Sequence, residues 1–143
     1  MLAVAETKAS LDPGAALLLG VLANALVCLA VWLSLGARTL TDKVVVVVGP
    51  VAAFVAAGFE HSIANLYLVP AGLLVKSWAP DSFFVSIGTP RSSYADLTWG
   101  SFLGNNLIPV TVGNVIGGAV LVGAVYWLAY LRPRDTAGRT DNL

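Results

Sequence analysis

Three long apolar stretches dominate the chain, and short polar stretches separate them. The first is an uncharged run from Pro13 to Ala37, the second extends from Val44 to Val75, and the third fills the uncharged interval between Asp96 and Arg132. A helix over Gly14 to Leu35 would be about 33 Å long, which suffices for a hydrocarbon core of about 30 Å. Asp12-Pro13 suits its start and Gly36 its end. Ala37 to Lys43 reads as a polar loop.

The second stretch reads differently. Val44 to Phe59 is too short to span alone, and so is Ser62 to Val75. Pro50 and Gly58 weaken the helix on the first side. The pattern predicts an irregular segment between Gly49 and His61 and a new helix starting near Ser62. At membrane depth such backbone is tolerated only where it is buried in protein or lines a cavity. Lys76 to Asp96 holds Pro80, Gly88, Pro90 and Ser92-Ser93 and reads as a loop. The third helix is expected from Phe102 to Leu131, opening on a polar, proline-bent part from Gly104 to Thr111, and Pro133 to Leu143 is expected to be a disordered tail.

Composition fixes the class. Of the 143 residues, 57% are hydrophobic and 11% charged, and mean hydropathy is +0.82. Soluble domains carry roughly 25% charged residues, so the expected fold class is an all-α membrane protein of one domain, 1–143, with three transmembrane spans of which the second is broken. A net charge of zero points to no nucleic acid, and the single Cys28 can form no intrachain disulfide. A signal peptide is excluded at the first run: Glu6, Lys8 and Asp12 precede it in place of a basic region, and it exceeds the usual ~7–15 apolar residues.

Three spans put the termini on opposite sides of the bilayer. Lys8, Lys76 and Arg91 then share one side, and Arg38, Lys43, Arg132, Arg134 and Arg139 the other. The positive-inside rule places the N-terminus outside and the C-terminus in the cytoplasm. An N-out start without a signal sequence implies further helices upstream.

The candidate chemistry lies in the second stretch. Glu60 and His61 are its only acidic, basic or imidazole side chains. Ionisable groups at membrane depth are costly and by default functional, and two half-helices meeting at a polar, glycine-marked break form a common substrate site in transporters. Histidine has an unperturbed pKa of ~6.5 and can exchange protons around neutrality. His61 can relay a proton to a passing anion or hydrogen-bond it; the plainer alternative is a histidine packed between helices. Glu60 reads as a structural group held by backbone or a neighbouring helix. Ser62 is a candidate helix cap, and the same helix N-terminus can direct its dipole at an anion. Lys8, taken alone, reads as a solvated charge. Asn106, Thr111 and Asn114 read as interhelical hydrogen-bonding residues, and Gly113-x-x-x-Gly117 as a close helix contact. Glu60-His61-Ser62 is no hydrolytic constellation, because three consecutive residues cannot converge on one reacting atom. With one histidine and no cluster around it, no metal, cofactor or enzyme activity is expected.

Three strings carry a family resemblance: Leu26-Val27-Cys28-Leu29-Ala30-Val31-Trp32, Gly58-Phe59-Glu60-His61-Ser62-Ile63-Ala64-Asn65, and Asn106-Leu107-Ile108-Pro109-Val110-Thr111-Val112-Gly113-Asn114. In order and spacing they resemble the formate/nitrite transporter family, and its formate-channel branch above all, from about Ala5 to Arg132. The resemblance implies one half of a six-helix, inverted-repeat, aquaporin-like protomer that assembles as a pentamer in the cell membrane. Only the C-terminal half has a counterpart here; the first half, with its own broken helix, would be the required partner. By resemblance, His61 stands at the central pore histidine, Lys8 at an outer-mouth lysine, Phe54 at the cytoplasmic-side constriction and Val27 at the outer constriction, one turn after Asn24. Asn65 joins this group at the start of the second half-helix.

The expected work is movement of a small monovalent anion, formate first, with nitrite and related anions in the same class, through a pore with a central histidine. The alternative is a truncated membrane fragment or a subunit that transports nothing without a partner half.

Overall fold

The computed structural model describes residues 1–132, and the expected tail from Pro133 lies outside them. The chain opens with a short helix, α1 (Leu2–Ala9), which the hydrophobic pattern did not predict. Its helicity comes from packing: Ala5 and Ala9 are fully buried, and the Ala5 methyl occupies the space that a side chain at Gly72 would need.

The second helix, α2 (Pro13–Gly36), has the expected bounds. Asp12 caps it by accepting from the backbone N–H of Gly14 at 2.9 Å and of Ala15 at 3.0 Å. The expected loop from Ala37 to Lys43 is shorter than its polarity implied. Thr39 and Asp42 exchange bonds in a capping box, at 3.1 Å each way, and so start α3 (Leu40–Ala56) inside it. Pro50 does not interrupt α3, which runs on to Ala56. The break is confined to residues 57–61, where Gly58 takes φ +68°, a conformation that side-chain-bearing residues rarely adopt. A new helix, α4 (Ser62–Trp78), follows as expected.

The stretch from Lys76 to Asp96 is not a plain loop. It contains the last turn of α4, then α5 (Asp81–Ser86) and a 3₁₀ turn (Arg91–Tyr94). This strap folds back and is pinned by two cations. Lys76 Nζ donates to the carbonyls of Tyr94 and, at 2.9 Å, Leu97. Arg91 donates to the carbonyls of Lys76 and, at 2.7 Å, Ala79, while its guanidinium lies 4.6 Å from the Phe84 ring centre. Phe84, Tyr94, Leu97 and Phe102 then form a core with Leu2, Val69 and Leu73.

The last helix runs without interruption from 99 to 131, with wider π-type turns at Phe102–Leu107, Ile116–Ala124 and Trp127–Leu131. Thr98 caps its start by accepting from Ser101 N–H at 3.0 Å. Pro109 does not bend it into a separate piece.

This helix lies against α2 and parallel to it. Leu17 meets Gly113, Val21 meets Gly117, and Trp32 stacks edge-on against Tyr126 and Tyr130. Any side chain at Gly113 or Gly117 would overlap the carbonyls of Leu17 and Val21, so the two backbones are in direct contact, as small-residue motifs in membrane helices permit. Pro13–Gly36 and the helical run ending at Leu131 are each long and apolar enough to cross a membrane. Because they point the same way, the intervening α3–α4 pair is the return path between them. None of the residues of α3 is buried.

Candidate functional site

The break between α3 and α4 places two neighbouring residues in opposite environments. Glu60 is 3% exposed, whereas His61 is only half-buried. Extended backbone at His61, with φ −121° and ψ 120°, turns consecutive side chains apart.

Glu60 is held by three side chains from three elements. Lys8 Nζ on α1 donates to its Oε1 at 2.7 Å. Asn65 Nδ2 on α4 donates to its Oε2 at 2.6 Å, and Asn106 Nδ2 on the last helix donates to the same oxygen at 3.0 Å. The two amides are also joined to each other, Asn65 Nδ2 to Asn106 Oδ1 at 2.7 Å, and Asn106 Nδ2 reaches the Lys8 carbonyl at 3.1 Å. A carboxylate in an apolar protein is tolerated only when its charge is paired and its lone pairs are filled, and here both conditions hold. The reading of Glu60 as a structural group agrees with this geometry. Lys8 is not a solvated charge, since its side chain is only 14% exposed. Asn65 is fully buried and spends its amide N–H groups on Glu60 and Asn106; its Oδ1 has no partner among the described residues.

Asn114 pins the other side of the break. Its Oδ1 accepts from the backbone N–H of Ser62 at 2.9 Å and from Ser62 Oγ at 3.0 Å. Its Nδ2 donates to the Gly20 carbonyl at 2.8 Å and to the Glu60 carbonyl at 3.1 Å. One amide thus ties α2, the break and the first turn of α4 to the last helix. Ser62 does not cap α4 as expected: His61 occupies the cap position, and the Ser62 hydroxyl donates to Asn114 instead. Thr111, read as an interhelical residue, donates at 2.6 Å to the Leu107 carbonyl of its own helix.

The remaining candidates fall into two places. Phe54 sits beside His61, with ring centres 6.2 Å apart. Asn24 donates at 2.6 Å to the Asn114 carbonyl and so belongs to the seam between α2 and the last helix. Val27 follows it by one turn and is half-buried. Lys8 and Asn65 therefore gather at Glu60, Phe54 and His61 gather at the open side of the break, and Asn24 lies with Asn114. Asn106 and Asn114 are the residues whose importance the sequence understated. Each is a polar residue in a 35-residue uncharged interval, but their partners are far away in the chain. Among the described residues, no three His, Cys, Asp or Glu side chains come together to hold a metal ion.

Chemically, the break offers a titratable imidazole and an aromatic ring on one side, and a charge-balanced ion pair on the other. The positive end of the α4 dipole points into the same region.

Known proteins are similar to this chain in sequence and in fold. The formate/nitrite transporter family profile matches residues 1–128. The formate channel FocA of Escherichia coli K12 is 50% identical over 120 residues, which cover 84% of this chain and 42% of that protein. FocB of the same organism is 44% identical over 114 residues, covering 80% and 40%. A solved structure described as a pentameric formate channel with formate bound superposes with a TM-score of 0.84 at 50% identity, covering 92% of this chain and 51% of its own. The chain thus spans less than half the length of these curated relatives and about half of the solved channel.

Proposed function

The chain belongs to the formate/nitrite transporter family, and on that premise we propose that it forms the C-terminal half of a pore protomer that passes small monovalent anions, formate first among them. Its membrane-crossing architecture is that of three spans, the second being α3 and α4 in series. The parallel course of α2 and the last helix supports this reading, since a chain that crosses twice in the same direction must return once between. The excess of Lys and Arg beyond α2 and the last helix supports a cytoplasmic location for those ends and for the C-terminus.

The observation that carries the function is the divided break. Glu60 is neutralised within the protein by Lys8 at 2.7 Å, so the ionisable group left at the open side is His61. A bare carboxylate entering a low-dielectric pore meets a very large desolvation cost. A proton delivered at the constriction removes the charge and most of that cost. The His61 imidazole can hold and pass such a proton, with Phe54 narrowing the path beside it. Lys8 presents the positive end of its ion pair with Glu60 to the outer approach, Asn65 keeps the Glu60 carboxylate in place, and Val27 lies on the outer side one turn after Asn24, which holds the seam to the last helix. Like the solved relative, complete protomers assemble as pentamers.

One observation favours a second reading for the chain by itself. With no residue of α3 buried, the break lacks a wall on that side, and the chain alone does not transport. Both readings are tested by reconstitution in liposomes, with and without a co-expressed first half. Saturable formate uptake only in the presence of the first half is the expected result. Uptake by the chain alone, abolished by His61→Ala, would overturn the need for a partner; no uptake in either case would overturn the transport reading.

A further inference from the structure

The short helix α1 carries Lys8 to Glu60, yet it is only eight residues long and joined to α2 by a three-residue connection. Something must fix its rotation. At about 100° per residue, Ala5 and Ala9 lie on one face, Glu6 lies about 100° to one side of Ala5, and Lys8 about 60° to the other. On that face Ala5 rests on Gly72 of α4. On the Lys8 side, the helix is held by the Glu60 ion pair and by Asn106 Nδ2 bonded to the Lys8 carbonyl. On the other side, Glu6 Oε1 accepts from the backbone N–H of Asp96 in the strap at 3.1 Å. Glu6 Oε2 is buried, with no partner among the described residues.

We propose that Glu6 is a positioning residue, which moors α1 to the strap 79–98 and so fixes the rotation that presents Lys8 to Glu60. Leu2 and the two alanines seat the helix on the core along one face, which leaves its two flanks to be held. Two tethers on opposite flanks convert it into a fixed seat. The strap can serve as anchor because it is itself pinned: Lys76 holds the carbonyls of Tyr94 and Leu97, on either side of Asp96, and Arg91 holds the end of α4. The bond needs an acceptor, not a charge, so Gln at position 6 preserves the tether and Ala removes it.

The inference bears on transport only through the role proposed for Lys8, and the test separates the two. In complete protomers reconstituted in liposomes, the formate concentration for half-maximal uptake is measured for wild type, Glu6→Ala, Glu6→Gln and Lys8→Met. In parallel, amide hydrogen exchange is followed over residues 2–9 and 91–98. The expected result is a half-saturation raised about threefold to tenfold in both Glu6→Ala and Lys8→Met, with Glu6→Gln within about twofold of wild type and exchange accelerated in both segments only for Ala. If Lys8→Met changes uptake and Glu6→Ala does not, the mooring is wrong. If Gln behaves as Ala, the charge matters and the tether does not, which also overturns it. If wild type carries no formate, the transport reading fails, and exchange alone decides: acceleration by Ala with rescue by Gln supports the mooring, and unchanged exchange refutes it.

Discussion

Lys8 and Glu60, 52 residues apart in the chain, meet at 2.7 Å in a setting where both side chains are largely withdrawn from water. The pair closes α1 onto the break, and the two amides on Oε2 complete the shell around the carboxylate. Removing one partner of such a pair leaves a lone charge, which costs far more than the pair contributes.

Lys8→Met is therefore expected to destabilise the folded chain by about 3–5 kcal/mol. The double variant Lys8→Met/Glu60→Gln should recover a large part of that loss, since the carboxamide needs no counter-charge. Thermal unfolding of the detergent-solubilised protein checks this. A double variant no more stable than Lys8→Met alone would mean that the charge on Glu60 is not what Lys8 balances.

Asn114 supports a second prediction. Asn114→Ala leaves the Ser62 N–H without its side-chain acceptor and the Gly20 and Glu60 carbonyls without their side-chain donors, at about 1–3 kcal/mol for each group left buried and unsatisfied. The expected outcome is a lowered unfolding temperature together with loss of the fixed break. Asn114→Asp keeps an acceptor for Ser62 but loses both donated bonds and buries an unpaired carboxylate against the Gly20 and Glu60 carbonyls, so it should be no more stable than Asn114→Ala. Protease accessibility at residues 57–61 is the direct readout, and cleavage as slow as in wild type would count against Asn114 as the pin.

His61→Asn in complete protomers should preserve folding and assembly while flattening the pH dependence of formate uptake. Asn hydrogen-bonds but does not titrate near neutrality. Uptake is followed from about pH 5 to pH 8. A profile superimposable on wild type over that range would remove the proton role from His61.

Topology gives the fourth prediction. In a Cys28→Ser background, Ser92→Cys and Arg38→Cys, both at exposed positions, are expected to label from opposite sides of the membrane. An impermeant thiol reagent applied outside intact cells should reach position 92 only. Labelling of both would contradict an odd number of crossings between them.

Much of this architecture can be read from the residues. Asp12-Pro13 and Gly36 mark both ends of α2 because capping and helix termination are local effects. Gly58 and Ser62 mark the break because a positive φ selects glycine whatever its neighbours. What escaped reading is non-local. α1 contains Glu6 and Lys8 and has little apolar periodicity; it is a helix because Ala5 finds Gly72, 67 residues on, and Leu2 and Ala9 join the same core. Pro80, Gly88 and Pro90 read as loop markers, but Pro80 precedes a helix start, which is a favourable place for it. Pro109 was expected to bend the last helix, yet the π-type turns just before it run on into regular helix. Glu60 could be recognised as structural from its position beside His61, but not which groups would hold it. Lys8, Asn65 and Asn106 come from three different elements, and only the assembled helices bring them to one carboxylate.

The glycine seam between α2 and the last helix has a genetic consequence. At Gly113 and Gly117 the obstacle to any larger residue is the carbonyl of Leu17 or Val21, an atom of the main chain. A clash between two side chains can be relieved by shrinking the partner, so second-site suppressors arise. Here no substitution at 17 or 21 removes the offending oxygen. Selection for revertants of Gly117→Leu should therefore return true reversions or smaller residues at 117 itself, with no suppressor at position 21. The seam can be lost by mutation, but its two sides cannot drift together to a new fit.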